Sequence, residues 1–237
     1  MKFISTFLYT LISRLLIAVV VVLFFVPLCI AIIIIPQKYR YNRYYFWIGN
    51  LFFKAIVKAT LLPIHIKGKL EPEPAIIVAN HSSSLDIPIL STIINGHPNV
   101  WLAMTWLLNF WFFRLILPRI AVLVDMSSPQ KGVRSLIKTI KLVKQQHMQV
   151  IIFPEGGRYT DGKVHDFYGG FGILSEKTGY PVVPIRLFHL EKVYPPNTFW
   201  LQYHPVSVII GEPMYKNEDE SQEDFQKRVH TWFVDQE

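Results

Sequence analysis

The residues best suited to chemistry lie together in one polar stretch, Asn80-His81-Ser82-Ser83-Ser84-Leu85-Asp86, directly after the apolar run Ala75-Ile76-Ile77-Val78-Ala79. A β-rich run ending in a histidine, three hydroxyls and an acid reads as a buried strand that delivers reactive groups to the end of a sheet, where open α/β sheets place their chemistry. The spacing restricts how His81 and Asp86 can meet. Five residues apart on one regular helix they would sit about 140° apart around its axis, so they come together only if a helix begins between them. Ser82, Ser83 and Ser84 are N-cap candidates and Pro88 suits a first turn. His81 then stays on the loop, and Asp86 rides in the first turn, where the helix dipole favours a carboxylate. An imidazole held at Nδ1 by a carboxylate has Nε2 free as a general base for an attacking hydroxyl.

A second strand pattern, Val150-Ile151-Ile152-Phe153, also runs into a reactive turn, Pro154-Glu155-Gly156-Gly157-Arg158. The two glycines let backbone N–H groups approach a ligand closely, and the Arg158 fork suits a phosphate. With His81 and Asp86, this turn makes a base and an anion clamp on neighbouring strand ends. A reaction between a phosphate-bearing acceptor and an activated acyl group would use both.

The elements that must position these groups follow from the rest of the chain. Over 237 residues the composition is 51% hydrophobic and 14% aromatic, with a mean hydropathy of +0.29, too apolar for an ordinary soluble enzyme of this size. Residues 15–35 form one uncharged, mostly aliphatic run, long enough to cross a bilayer core, which takes about 20 residues. Pro27 predicts a kink in it, so a spanning helix and a bent, re-entrant one are both open. Lys38, Arg40 and Arg43 after the run, against Lys2 and Arg14 before it, favour a cytoplasmic C-terminal side. Residues 41–66 carry aromatics and lysines at helical spacing, as an interfacial or a core-packed helix would. These assignments divide the chain into membrane-anchoring helices at 1–66 and a catalytic domain at 67–237.

The net charge of +7 attracts anionic lipid or an acidic carrier, and no nucleic-acid motif accompanies it, so no nucleic-acid partner is expected. The single Cys29 excludes an intrachain disulfide, and no His pair has metal-ligand spacing beside an acid, so neither a metal nor a cofactor is expected. Beyond the strand at 75–79 the pattern alternates. It predicts a helix at 85–95 and an apolar, aromatic-rich stretch at 100–124, read as a buried helix plus strand or as an acyl-handling surface. An amphipathic helix through Val133, Leu136, Ile137, Ile140 and Val143 follows, with its cations on a solvated face. A helix at 170–178 stopped by Gly179, strands at 182–187 and 206–210, and a last helix capped by Ser221 with Asp224 complete the series. Such alternation predicts an α/β fold with a mixed sheet flanked by helices.

These blocks resemble the glycerolipid acyltransferase family typified by 1-acylglycerol-3-phosphate acyltransferase. Asn80-His81-Ser82-Ser83-Ser84-Leu85-Asp86 is similar to that family's first motif, Phe153-Pro154-Glu155-Gly156-Gly157-Arg158 to its third, and Val182-Val183-Pro184-Ile185 to its fourth, over roughly residues 75–187. The resemblance implies acyl transfer from acyl-CoA or acyl carrier protein, as co-substrate, to the free hydroxyl of a lysophospholipid. By family type the implied acceptor is 1-acyl-sn-glycerol 3-phosphate. It further implies His81 as base with Asp86 holding it, no acyl-enzyme, substrate contacts from Glu155, Gly156, Gly157 and Arg158, and a place on the cytoplasmic side of the inner membrane. Three positions depart from the family pattern: Met126 where the second motif ends in Arg, Gly157 where the third has Thr, and Tyr168-Gly169 where Lys is common. Lys131 or Arg134 can stand in for the missing Arg. The departures leave open a different acceptor headgroup, or a membrane-anchored lipid-binding protein without turnover.

Overall fold

A computed structural model of the chain describes residues 2–34, 43–71 and 73–236. Lys38, Arg40 and Tyr41, together with Ile35, lie outside the described residues, so the charge bias after the apolar run is not placed. Seven strands form one sheet: β1 (Ile64–Lys67), β2 (Ile76–Ala79), β3 (Asn99–Met104), β4 (Ala121–Val124), β5 (Gln149–Ile152), β6 (Val182–Phe188) and β7 (Val206–Ile210), in the order β1-β7-β6-β2-β5-β3-β4. Strands β6, β2, β5, β3 and β4 are mutually parallel, while β7 pairs antiparallel with β6 and parallel with β1, so the sheet is mixed as expected. β1 straddles the 66/67 boundary expected from sequence and is the sheet's edge strand beside β7.

The helices are α1 (Lys2–Val20), α2 (Val26–Ile34), α3 (Arg43–Ala59), α4 (Asp86–Ile94), α5 (Trp111–Ile120), α6 (Pro129–Gln146), α7 (Gly170–Thr178), α8 (Leu190–Val193) and α9 (Gln222–Val234). They cover both faces of the sheet, and strand alternation divides the core between them. On β2, Ile77 and Ala79 face a layer with Leu85, Ile89, Leu90 and Ile94 of α4. Ile76 and Val78 face the opposite layer with Val143 of α6, Phe171 and Leu174 of α7, and Phe225, Val229 and Phe233 of α9. β2 is therefore buried on both sides, and each of its large aliphatic side chains contributes about 1.5–3 kcal/mol.

Helix ends follow the local signals. Ser128 caps α6, its hydroxyl accepting the Lys131 N–H with Pro129 in the first turn, and Ser221 caps α9 by accepting the Asp224 N–H. Gly179, at φ +78°, terminates α7 in the left-handed region. The aromatic stretch at 100–124 resolves into the six-residue β3, a 3-10 helix at Thr105–Asn109, α5 and β4, so it holds one strand more than expected.

The apolar N-terminal segment Ile4–Ile34 is one helix long and apolar enough to cross a membrane; its most apolar 18-residue stretch has a mean hydropathy of 3.4 and is 11% buried. It does not break at Pro27. Proline lacks the N–H that would reach the Leu23 carbonyl, and the backbone widens just before it into a π-helical turn, Val21–Phe25, in which Val26 N–H donates to Val21 O. The N-terminal half of α1 is tied to the sheet domain. Thr10 Oγ1 donates to Leu201 O at 3.1 Å and accepts the Leu201 N–H at 3.2 Å, and Ser13 Oγ donates to Thr60 O at 3.3 Å. α3, expected as interfacial or core-packed, packs on one side only: Asn50 and Phe52 are buried, while Tyr44, Trp47, Ile48 and Leu51 are exposed.

Candidate active site

The parallel strands β2, β5 and β6 are neighbours, so their C-terminal ends open on one edge of the sheet. Just past β2, Asn80 extends the ladder with its side chain: Nδ2 donates to Leu187 O at 2.9 Å, and Oδ1 accepts the Leu187 N–H at 2.7 Å. This locks the start of the polar stretch to β6 and sends His81 out over the strand ends.

His81 and Asp86 meet as the spacing requires, with Nδ1 2.6 Å from Asp86 Oδ2. The same Oδ2 accepts the N–H groups of Ser82 and Ser83, each at 2.8 Å, and Asp86 is 0% exposed. None of the three serines caps α4 by the usual side-chain bond; Leu85 occupies the cap position. Asp86 instead reaches back from the first turn to the upstream N–H groups. Ser83 Oγ accepts the Leu85 N–H at 3.2 Å and donates to Tyr194 O at 2.7 Å. Because the ionised carboxylate only accepts, Nδ1 carries the proton and Nε2 presents its lone pair. Phe153 stacks on the imidazole with ring centroids 4.0 Å apart and planes 12° from parallel, which fixes the ring's face.

The second turn sits beside this dyad. Gly156 has φ +67°, and a Cβ there would lie 2.7 Å from the Tyr168 ring, so the position requires glycine on both counts. Tyr168 N–H donates to Pro154 O at 2.8 Å and Tyr159 N–H to His81 O at 3.0 Å, pinning the turn to the histidine loop. Gly157 lies between these two anchors, against the Tyr159 ring. Arg158, exposed on the turn, donates from Nε to His81 Nε2 at 3.0 Å.

Glu155 points inward. It is 4% exposed, and its Oε2 accepts the His81 N–H at 3.4 Å. Burial pushes its carboxyl up to about 7, against the His81 N–H and the positive charge of Arg186, which pull it down. Arg186, on β6, is 3% exposed, donates to Gly162 O at 3.3 Å and lies over the Phe188 ring. Sequence reasoning did not single out Arg186 or Phe153. A lone arginine inside the apolar run of β6 was the available signal for the first; the second heads the block that resembles the family's third motif, though nothing there marked its ring as a partner of His81.

Met126 follows β4 and is exposed. Lys131, a candidate stand-in for the missing arginine, pairs with Asp125 at 3.1 Å and donates to Ser127 Oγ at 3.0 Å. β4, which Met126 follows, lies three strands across from β2, a lateral distance of about 14 Å at ordinary strand spacing. At the third departure, Tyr168 packs on Gly156, and Gly169 abuts Gln226 of α9, whose amide donates to the Gly169 carbonyl at 3.2 Å.

Comparison with known proteins bears on the family and the fold. The family profile described as Acyltransferase matches residues 62–187. The 1-acyl-sn-glycerol-3-phosphate acyltransferase of Limnanthes alba is 23% identical over 219 residues, covering 86% of this chain and 74% of that protein. The protein of the same name from Pseudomonas aeruginosa is 25% identical over 192 residues, covering 77% of this chain and 71% of its own length. Among solved structures, the 1-acyl-sn-glycerophosphate (LPA) acyltransferase PlsC from Thermotoga maritima shares the fold with a TM-score of 0.76 at 23% identity, covering 100% of this chain and 96% of that one.

Proposed function

From the premise that this chain belongs to the Acyltransferase family and is an acyl-transferring enzyme, we propose that it moves a fatty acyl group from a thioester to the free hydroxyl of 1-acyl-sn-glycerol 3-phosphate, giving phosphatidic acid. The observation that carries this reading is the pairing of a carboxylate-held imidazole with a guanidinium 3.0 Å from its Nε2. A base and an anion-binding fork thus share one hydrogen bond's reach. His81 Nε2 takes the proton of the acceptor hydroxyl, the oxygen attacks the thioester carbonyl carbon, the C–O bond forms and the C–S bond breaks. The leaving thiolate then takes the proton from the imidazolium. Asp86 keeps Nδ1 as the donor and offsets the positive charge that His81 carries between the two transfers. Arg158 binds the acceptor phosphate and Gly156 and Gly157 shape the turn around it, while Glu155, expected as a substrate contact, is turned inward and holds the turn against His81.

We assign the helices up to Ala59 to membrane anchoring and the sheet domain from β1 onward to catalysis, the latter on the cytoplasmic side; the sheet takes in Ile64–Ile66, which the 66/67 boundary had left with the anchor. Support comes from the exposed apolar flank of the N-terminal helix, where Leu23 is 63% exposed, and from α2 lying against α5. Trp106, Phe110 and Trp111 are exposed beside it, with Trp111 at 79%, a surface suited to the bilayer interface. Acyl-CoA and acyl carrier protein are both acidic donors that a +7 chain attracts.

The test is acyl transfer in detergent micelles from a labelled thioester to a panel of lysophospholipids, comparing wild type with His81→Ala. We expect lysophosphatidic acid to be the best acceptor and the variant to lose at least ~10²-fold. Folded wild-type protein that acylates none of the panel would overturn the reading.

A further inference from the structure

Arg158 occupies the place that the acceptor hydroxyl must take. Its Nε–H points at the lone pair of His81 Nε2, 3.0 Å away, and Nδ1 cannot substitute because it is bonded to Asp86 at 2.6 Å. The imidazole cannot turn away, since Phe153 stacks on its face and Asp86 holds its edge. The backbone beneath Arg158 is equally fixed: Tyr159 N–H is bonded to His81 O, and Tyr168 N–H to Pro154 O. The exposed Arg158 side chain is therefore the part of this contact that can move.

We propose that Arg158 is a latch on the base, masking His81 Nε2 in the empty site and leaving it only for the phosphate of an incoming acceptor. The inference rests on the acyl-transfer reading of the same site and adds a condition for its onset. A phosphate offers two oxygens to the planar guanidinium fork, a bidentate, charge-assisted pairing that a single neutral imidazole nitrogen cannot match. In a lysophosphatidic acid, one methylene and one ester oxygen separate the hydroxyl-bearing carbon from phosphorus. The guanidinium therefore leaves Nε2 for a group that brings the reacting hydroxyl with it. Water and neutral alcohols bring no such group, so they meet a masked base, and the bound thioester is spared hydrolysis. Selectivity for a phosphate-bearing acceptor thus enters through activation of the base as well as through binding.

Two readouts on the full-length protein in detergent test this. The first is carbethoxylation of His81 by diethyl pyrocarbonate, followed by peptide mass; the second is thioester hydrolysis without acceptor. The probe is hexadecyl phosphate, which carries the phosphate but no hydroxyl to acylate. Expected for Arg158→Ala is a rise in both rates of about fivefold or more, the factor one hydrogen bond exerts on an equilibrium. Hexadecyl phosphate should raise both rates in wild type by a similar factor and leave the variant unchanged. Modification of His81 at the wild-type rate in Arg158→Ala, or no increase with hexadecyl phosphate in wild type, overturns the latch. The modification readout needs no turnover. If His81 reactivity follows the expected pattern while wild type acylates no lysophospholipid, the function fails and the latch stands; transfer with unchanged His81 reactivity sinks the latch alone.

Discussion

Replacing Asp86 by Asn separates the two tasks of that side chain, holding the loop and compensating charge. Its Oδ2 collects three donors, His81 Nδ1 at 2.6 Å and the Ser82 and Ser83 N–H groups at 2.8 Å. Oδ1 is buried without a hydrogen-bond partner among the described residues. An asparagine therefore keeps its carbonyl oxygen toward the three donors, since the opposite orientation would set its NH2 against all of them. The amide then falls where Oδ1 lay, an unmet buried donor that costs about 1–3 kcal/mol. Relief of a buried charge offsets part of this, so the fold should survive with a modest loss of stability. Catalysis fares worse. When His81 takes up a proton, the ion pair with the carboxylate is absent; at about 4 Å between charge centres and an effective dielectric near 20, that interaction is about 4 kcal/mol. The rate should accordingly fall by ~10²–10³-fold. The assay is thiol release from an acyl thioester with lysophosphatidic acid present, with folding checked by circular dichroism. A variant that is folded and keeps kcat/KM within about fivefold of wild type would refute the charge-compensating role.

Glu155 predicts a pH dependence of stability. Its carboxyl, raised from the ordinary 4.5 to about 7, stays protonated in the fold where the unfolded chain has released the proton. Stability therefore falls as pH rises from about 4.5 through 7, by about 3 kcal/mol across the window, and is level beyond it. Urea unfolding of wild type and Glu155→Gln between pH 5 and 8 should give a difference that shifts in favour of the variant as pH rises; a shift in the other direction would contradict the buried, protonated carboxyl. Gly156→Ala forces a side chain into φ +67° and to 2.7 Å from the Tyr168 ring. It should cost about 1–3 kcal/mol in unfolding free energy and reduce transfer by displacing the turn that carries Arg158; unchanged melting and activity would mean that the turn tolerates the clash.

The dyad was legible in the sequence because it is local. His81 and Asp86 are five residues apart, and only a helix start between them brings them together, which α4 supplies. The helices α6, α7 and α9 were legible for the same reason, having apolar periodicity and end signals within their own residues. The strands β1 and β3 were not. β1 is a four-residue edge strand with three exposed residues, and it gives no alternation to read. β3 has one fully buried position among partly buried ones, in a tryptophan-rich run that suits a helix equally well. The partners of the dyad were hidden by distance along the chain: Arg158 meets His81 across 77 residues, and Asn80 meets Leu187 across 107. Such contacts follow from strand order, which periodicity does not encode.

Strand order also explains how the apolar helix comes to lie near the chemistry. α1 reaches the domain at the loop between α8 and β7, where Arg14 donates to Phe199 O and its guanidinium lies 4.7 Å from the centre of the Tyr194 ring. Tyr194 O accepts the Ser83 hydroxyl, and the Ser83 N–H is one of the three donors on Asp86. Each link is a hydrogen bond or a cation–π contact, with Ser83 buried and Tyr194 half-buried. On the proposed reading, the membrane-anchoring helix and the carboxylate that holds the base are separated by two residues, Tyr194 and Ser83. An acceptor whose acyl chain stays in the bilayer needs its headgroup to travel little to reach the base, and a donor from the aqueous side meets it at the same strand ends. If that helix is the membrane anchor, the loop between α8 and β7 is the contact that ties the anchor to the site, through residues outside the acyltransferase motifs.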